Sequence, residues 1–520
     1  MSETGDIRSV EQQRLLRGGL SRRELLTALG ITGASFVAAA CSPAAAPAPA
    51  ATSAPPAPAA TVAKPAAPAP AATTAPAAPA APAATAAKPA APAATTAPAA
   101  AAKPNITGKI TYLDQDDDPA SVAWHDVYHK DFMALYPGVQ IEDTHYASAD
   151  YQQKLTTSMA TGAQLDFLFW DTTNIPQLWA DGRLLPLNDL LENIYTDIGG
   201  KDKMSAESLA LFTGPNGEIQ GIPYYEEPLV WWFRQDLLQA AGLTPPADHW
   251  DWQFLLNAVK ATHKPPDMYG IGFPTARKTG TLFPIIPFIM NNGGHFVSPD
   301  LKDVVFDSQE VRDAYELMKE LAQYLPPGTG DWANPQQVDA ITHGTVATGH
   351  YYGRVFQNVS RQNKPLIGKL NNTLIPYNKA QTVNWGNWGA HCVLKTAANP
   401  DGAKEMIRFS FKKDENIGYL VSVPGLYLPS VPGLAADPAF LNDPTLKLFD
   451  PKMVATMTRA AANTANMTQE GPTWKINQKG GTIYSSLVLA DVLQKIIIND
   501  ETVASAVTWG AQQIADIMKA

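Results

Sequence analysis

Cysteine is nearly missing from this sequence. Its 520 residues hold only Cys41 and Cys392, which rules out a framework of several disulfides. Basic residues are also short, with 39 Lys and Arg against 49 Asp and Glu. A chain of formal net charge −10 lacks the cationic surplus that phosphate neutralisation needs, so nucleic acid is excluded as a partner. No Gly-rich phosphate loop, serine nucleophile elbow or His-Glu-x-x-His pair occurs, which removes familiar signatures of nucleotide, esterase and metalloprotease chemistry. There is no internal repeat. Long apolar runs are absent too: Leu25 to Ala40 is interrupted by Gly30 and Gly33 and falls short of the about 20 apolar residues that span a bilayer.

That stretch has the build of a secretory leader. Arg14, Arg17, Arg22 and Arg23 precede it, and small residues end it at Ala38-Ala39-Ala40-Cys41. Ser21-Arg22-Arg23-Glu24-Leu25-Leu26 resembles the twin-arginine export signal. Ala-Ala-Ala-Cys resembles a lipobox, although Ala38 stands where Leu or Val is usual. Residues 1–41 are therefore read as a lipoprotein signal peptide. The expectation is an exported protein of the cell envelope, held at the membrane by a lipid on Cys41.

From Ser42 to Pro104 the chain is almost entirely Ala, Pro and Thr, with Lys64, Lys88 and Lys103 as its only charges. Such a segment cannot bury enough side chain to offset its ordering entropy, and its prolines interrupt any alanine helix. Residues 42–104 are expected to be a disordered tether. Removing the leader's net +1 and the tether's +3 leaves −14 on residues 105–520, which are long enough for two ordinary lobes.

Those residues alternate between strand and helix patterns. Lys109 to Leu113, Val139 to Thr144 and Leu165 to Trp170 read as strands, separated by helical periodicity at Trp124 to Tyr136 and Tyr151 to Thr161. A second such pattern follows Gly221-Ile222-Pro223, with a strand at Leu229 to Phe233, helices at Arg234 to Ala241 and Trp252 to Thr262, and a short strand at Gly270 to Phe273. An amphipathic helix at Val311 to Tyr324 carries Asp307-Ser308 as its cap, and a strand is expected from Gly389 to Leu394. Helices follow at Pro400 to Phe411, Tyr484 to Ile498 and Ala504 to Met518. Alternation of this kind predicts an α/β fold. In the strand at Gly389, His391 and Cys392 point to opposite faces, so they form no nucleophile–base dyad and Cys392 is read as core.

Order along the chain now carries a resemblance. Lys109-Ile-Thr-Tyr, Phe132-x-x-x-Tyr-Pro-Gly-Val139 and Asp166-Phe-Leu-Phe-Trp170 are followed by Gly221-Ile-Pro-Tyr-Tyr-Glu-Glu and Trp232-Phe-Arg-x-Asp-Leu-Leu. Asn292-Gly-Gly294 and Asn399-Pro-Asp-Gly-Ala-Lys404 come after them. Together these motifs resemble the bacterial extracellular solute-binding proteins of family 1, the sugar-binding type, over residues 107–518. The resemblance implies a two-lobed periplasmic-binding-protein fold with a hinge and an interlobe ligand cleft. The lobes would run from about 105 to 222 with 389 to 445, and from about 223 to 388 with 446 to 520. It further implies a monomer without cofactor that captures a solute, most simply a sugar, for an ABC-type permease and catalyses nothing.

A sugar offers an apolar face to aromatic rings and a hydroxyl rim to Asp, Glu, Asn and Arg, so aromatic residues beside carboxylates or amides are the candidates. Trp170 and Asp171 end a strand at the edge where open α/β sheets bind ligands. The resemblance sets Trp170 at a sugar-contacting tryptophan, Asp117 at a ligand-binding aspartate, and Glu226, with Glu227 as the alternative and Tyr225 beside them, at a ligand carboxylate. By the same likeness Phe283 falls at a site aromatic, and Tyr352 and Arg354 in a binding loop. Trp385 and Trp388, in Trp385-Gly-Asn-Trp388, read as a tryptophan pair on a polar loop, and Trp474 is added as a further aromatic.

Three rival readings stand beside this one. A glycosidase needs two carboxylates at fixed separation, and nothing in the sequence supplies that geometry. His125 and His129 lie four apart on a helix with His145 and several acids near in sequence, but histidines at such spacing are more often exposed on a helix surface than metal ligands, so no metal is assigned. The acids Asp114, Asp116, Asp117 and Asp118 form either a solvated loop or a ligand loop, and they leave a peptide or polyamine open as the solute.

Overall fold

The computed structural model describes residues 105–520 apart from Asp117, Ala147, Ala247, Asp248, 380–383, Asn463, Pro472 and Thr473. The leader with Arg22-Arg23, Cys41, the tether and Asp117 therefore lie outside the described residues. No helix among the described residues is long and apolar enough to cross a membrane.

Among the described residues ten strands, in chain order, build two sheets. They are β1 (Gly108–Asp114), β2 (Val139–His145), β3 (Phe167–Asp171), β4 (Ile222–Pro228), β5 (Val230–Arg234), β6 (Thr348–Tyr351), β7 (Leu370–Thr373), β8 (Asn384–Val393), β9 (Leu428–Pro429) and β10 (Thr464–Ala465). The first sheet runs β2-β1-β3-β8-β4-β9, with β10 paired to β8. β1 is parallel to β2 and β3, whereas β8 is antiparallel to both β3 and β4. The second sheet is small, with β5 antiparallel between β6 and β7. Gly270 to Phe273, expected as a strand, contributes a single bridge from Gly272 to Gly349 at the edge of β6.

The first sheet is apolar on both faces, as a sheet covered on both sides must be. Along β3, Phe167 and Phe169 enter the main core while Leu168 and Trp170 enter a smaller cluster with Tyr151, Trp388 and Cys392. The same alternation puts His391 against Phe169, with ring centroids 4.5 Å apart, on the face opposite Cys392. Burial pushes the Cys392 thiol well up, so it is a core residue rather than a nucleophile.

Two features aim the elements at one region. The chain passes from β4 to β5 through Leu229 alone, so a single residue links the two sheets there. Asp118 caps the helix Pro119–Leu135: its side chain accepts from the Ala120 backbone N–H at 2.9 Å, with Pro119 just inside the first turn. That helix begins five residues before its apolar periodicity, which pins the loop after β1 to the sheet edge. Near the C-terminus, Leu487 adopts φ +62° and splits the expected helix into Gly480–Ser486 and Val488–Ile497.

Candidate functional site

Strand alternation decides which side chains of β4 can meet a ligand. Tyr225 and Glu227 share one face, and Glu226 takes the other, where it is buried against the Thr464 hydroxyl. Tyr225 and Glu227 open onto a cavity of about 390 Å³ at the junction of the two sheets. From the first sheet it also receives Trp170 and Asp171 at the end of β3, Asn387 from β8, and Gln115 and Asp116 from the loop after β1. From beside the second sheet come Phe283, Tyr351, Tyr352 and Arg354, and the kinked C-terminal helices add Tyr484 and Ser485. A second cavity of about 360 Å³ opens on the other side of Trp170, sharing Gln152, Asn174 and Ser485 with the first.

The walls are partly preset. Phe283 meets Tyr352 edge to face at 5.3 Å, and Tyr225 lies 4.5 Å from Tyr427. The Tyr427 hydroxyl donates to Asp116 at 2.5 Å, which fixes that carboxylate in the wall. Asp171 accepts from the Thr173 backbone N–H at 2.9 Å and from the Asn174 amide at 3.0 Å. Burial nonetheless raises its carboxyl above the ordinary value. Glu227 shifts further: burial lifts it to about 8, Arg354 pulls against that, and Asp116 and Asp171 add to it. That direction favours its protonated form, which can donate a hydrogen bond as well as accept one. Arg354 ion-pairs with Asp118, so the cavity is closed on one side by a bond between the two sheets' surroundings.

A cavity of this size, between two α/β halves, with four or more rings alternating with carboxyls, amides and one guanidinium, is built to hold a small polyhydroxylated or polar solute. Comparison with known proteins agrees. The family of bacterial extracellular solute-binding proteins matches residues 118–417. This chain belongs to that family. The maltose-bound MalE3 protein of T. maritima superposes with a TM-score of 0.66 at 16% identity, covering 79% of this chain and 99% of its own. An ABC substrate-binding protein of Listeria monocytogenes in complex with cycloalternan gives 0.66 at 17% identity over 80% and 100%. A solute-binding protein of Agrobacterium radiobacter in complex with ribitol gives 0.67 at 16% identity over 80% and 100%. These likenesses establish the periplasmic-binding-protein fold. The family is one of non-enzymatic solute-binding proteins, which leaves the acids of the cavity no catalytic duty.

Of the residues that the sequence singles out, Trp170, Asp171, Tyr225, Phe283, Tyr352 and Arg354 converge on the cavity of this solute-binding protein. Four fall elsewhere. Glu226 faces away from it. Trp388 is buried in the smaller cluster, on the face of β8 opposite Asn387. Trp385 is buried behind Tyr484, its ring stacked at 6.1 Å, so it supports the wall without forming it. Both tryptophans belong to β8, which begins at Asn384 rather than at Gly389, so they pack as strand residues and the expected polar loop does not form. Trp474 lies against His295 at 4.4 Å, away from the cavity. The acidic loop is not solvated either: Asp114 and Asp116 are buried. Of the two glutamates left open, Glu227 is the one that lines the cavity, on the face it shares with Tyr225. Asn387, Tyr427 and Tyr484 carry no local signal, because only the tertiary fold brings them in.

Proposed function

We propose that this solute-binding protein captures a carbohydrate or polyol between its two lobes and hands it to an ABC permease, acting as a monomer tethered outside the cytoplasm. The lobes are taken as about residues 105–222 with 389–445 and 223–388 with 446–520, except that β4, the start of β8 and β10 go by their pairing with the sheet of the first. The observation that carries this reading is the mixture in one cavity of Trp170, Tyr225, Phe283 and Tyr352 with Asp171, Asn387, Glu227 and Arg354. Rings take the C–H faces of a sugar, and the polar groups take its hydroxyl rim. Maltose, cycloalternan and ribitol in the structural relatives are of that chemical class. A solute that touches both lobes only when they meet would shift the population towards the closed form, which is the form a permease would read. Export by the twin-arginine route and a lipid on Cys41 would keep the protein at the membrane while residues 42–104 give it reach.

Thermal melting of the mature protein against mono- and oligosaccharides, polyols, polyamines and short peptides tests this reading. Binding to the folded state alone raises the midpoint by mass action. A shift with one sugar or polyol class, lost in Trp170→Ala, supports it. The second reading, a cationic solute, is favoured by the two aspartates, Asp116 and Asp171, against an Arg354 already paired with Asp118. Shifts with polyamines only would select that one.

A further inference from the structure

Behind the cavity loop, on the side of the first sheet covered by the helix Pro119–Leu135, lies a group of histidines and acids that the solute site does not use. His125 and His129 are buried rather than exposed, because they sit on the helix face turned to the sheet. Asp114 ends β1, and Asp143 and His145 end β2, its parallel neighbour. The ligand atoms of Asp114, His125 and His145 all lie within 4.8 Å of one another.

The hydrogen bonds around this group leave two of these atoms over and engage the third with Asp143. His125 Nδ1 and His129 Nε2 both contact the Tyr112 hydroxyl, at 2.8 and 2.9 Å. A hydroxyl can donate only once, so a relay in which His125 Nδ1–H donates to Tyr112 and Tyr112 donates to His129 satisfies all three. His125 then presents the lone pair of Nε2. His145 Nδ1 lies 2.7 Å from the Asp116 carbonyl oxygen, which can only accept, so Nδ1 is the donor there, and Nε2, which is 2.6 Å from Asp143 Oδ2, is the nitrogen that a metal would have to take over from that contact. Asp114 Oδ1 accepts the Asp116 backbone N–H at 2.7 Å and leaves Oδ2 over. Asp114 Oδ2 and His125 Nε2 stand 3.2 Å apart, yet neither has a hydrogen-bond partner among the described residues, although their side chains are 0% and 7% exposed. A buried carboxylate oxygen and imidazole nitrogen at this distance share a cation between them, either a proton on Nε2 or a metal ion.

We propose that Asp114, His125 and His145 bind a divalent transition metal of the zinc class through Oδ2 and the two Nε2 atoms. Bonds of about 2.0–2.1 Å in a tetrahedron put neighbouring ligand atoms about 3.4 Å apart, close to the 3.2 Å of Asp114 and His125. Imidazole ligands exclude the hard cations calcium and magnesium, which take oxygen donors. The outer partners are those a metal-bound histidine requires: Tyr112 orients His125, and the Asp116 carbonyl orients His145. Asp143, whose Oδ2 is 2.6 Å from His145 Nε2, stands beside the fourth position and gives up that contact when the metal enters. The metal would tie β1 and β2 to the loop bearing Asp116 and Asp118, and so stiffen one wall of the cavity. The site uses the first sheet alone and does not depend on what the cavity holds.

Zinc chloride is titrated into the chelator-stripped mature protein by calorimetry, and Co²⁺ is added in parallel to record its visible absorption. The expected result is one Zn²⁺ per chain and the strong d–d bands of four-coordinate cobalt. His145→Gln and Asp114→Asn should each weaken binding by at least tenfold. No stoichiometric binding to the wild-type protein, or affinity undiminished in both variants, overturns the site. Should either variant fail to fold, X-ray absorption of the zinc-loaded wild type decides: two imidazoles in the shell support the assignment, and none overturns it.

Discussion

The guanidinium of Arg354, at the first residue of the helix that follows β6, pairs with the carboxylate of Asp118, the cap of the helix that follows β1. One residue belongs to the surroundings of the second sheet and the other to those of the first. Their pair is the charged bond across the cavity mouth, and it sits within the field of Glu227 and Asp116. Arg354→Ala removes the partner of a half-buried carboxylate and a donor to any bound hydroxyl or carboxyl. Hydrogen bonds to charged groups contribute about 1.5–3 kcal/mol, so solute affinity should fall roughly thirtyfold. Asp118→Asn should cost less, because Arg354 stays in place to face the solute. Isothermal titration of both variants with the solute found by melting checks the order. Equal losses would mean that Arg354 acts only through Asp118.

The tryptophans separate binding from stability. Trp388 is buried with Trp170, Tyr151 and Cys392 but touches no cavity, so Trp388→Ala should cost about 3–5 kcal/mol of stability as a core truncation. Its solute affinity, measured on the folded fraction, should stay within twofold of wild type. Trp170 is buried in the same cluster but lines the cavity, so Trp170→Ala should lose comparable stability and, in addition, at least tenfold in affinity. Urea denaturation and calorimetry on the same preparations give both quantities.

How far the sequence leads is visible in these same residues. Periodicity located β1, β2, β3 and the helices between them to within about five residues, because they carry strong local patterns closed by Pro137-Gly138 and Gly162, whereas β4, β9 and β10 were not read as strands. Ordered motifs gave the family and the fold. Local rules failed where tertiary packing decides. Asn384 to Trp388 reads as polar loop, but β8 runs through it since β4 pairs with Gly386 to Trp388 and β10 with Asn384 and Trp385. Glu226 and Glu227 are indistinguishable by composition, and only the face of Tyr225 separates them. The histidines of the helix Pro119–Leu135 read as surface because their buried partners, Tyr112 and Asp114, come from a strand that periodicity alone does not align with them.

Gly353 gives a test of how tightly the cavity mouth can close. A Cβ at this position would collide with the carbonyl oxygen of Gly425, itself held at φ +84°. The next residue is Arg354, and the loop after Gly425 carries Tyr427, so the two backbones meet where the cavity's ion pair forms. Gly353→Ala must push them apart. Overpacking of this kind costs about 1–3 kcal/mol, and the displacement should weaken solute binding as well. Calorimetry on the folded variant checks this, and a wild-type affinity would show that the approach of Gly353 to Gly425 matters for folding only.

Glu227 turns the cavity's electrostatics into a pH dependence. Burial raises its carboxyl from 4.5 to about 8, so between those values the folded protein holds a proton that the unfolded chain has released. Its effect on stability is therefore most favourable below the lower value and is lost as pH rises through the window. The loss is at most about 1.4 kcal/mol per pH unit, and it levels off above the upper value. Glu227→Gln is neutral throughout and escapes this loss, so its stability relative to wild type should climb from acid towards mildly alkaline pH. His350 and His391, which burial pushes down to about 3, titrate alike in both proteins and cancel in the difference. Urea denaturation of the two proteins across the window measures it. A difference that stays flat would mean that Glu227 is already ionised in the folded protein at neutral pH, and that it meets the solute as a hydrogen-bond acceptor alone.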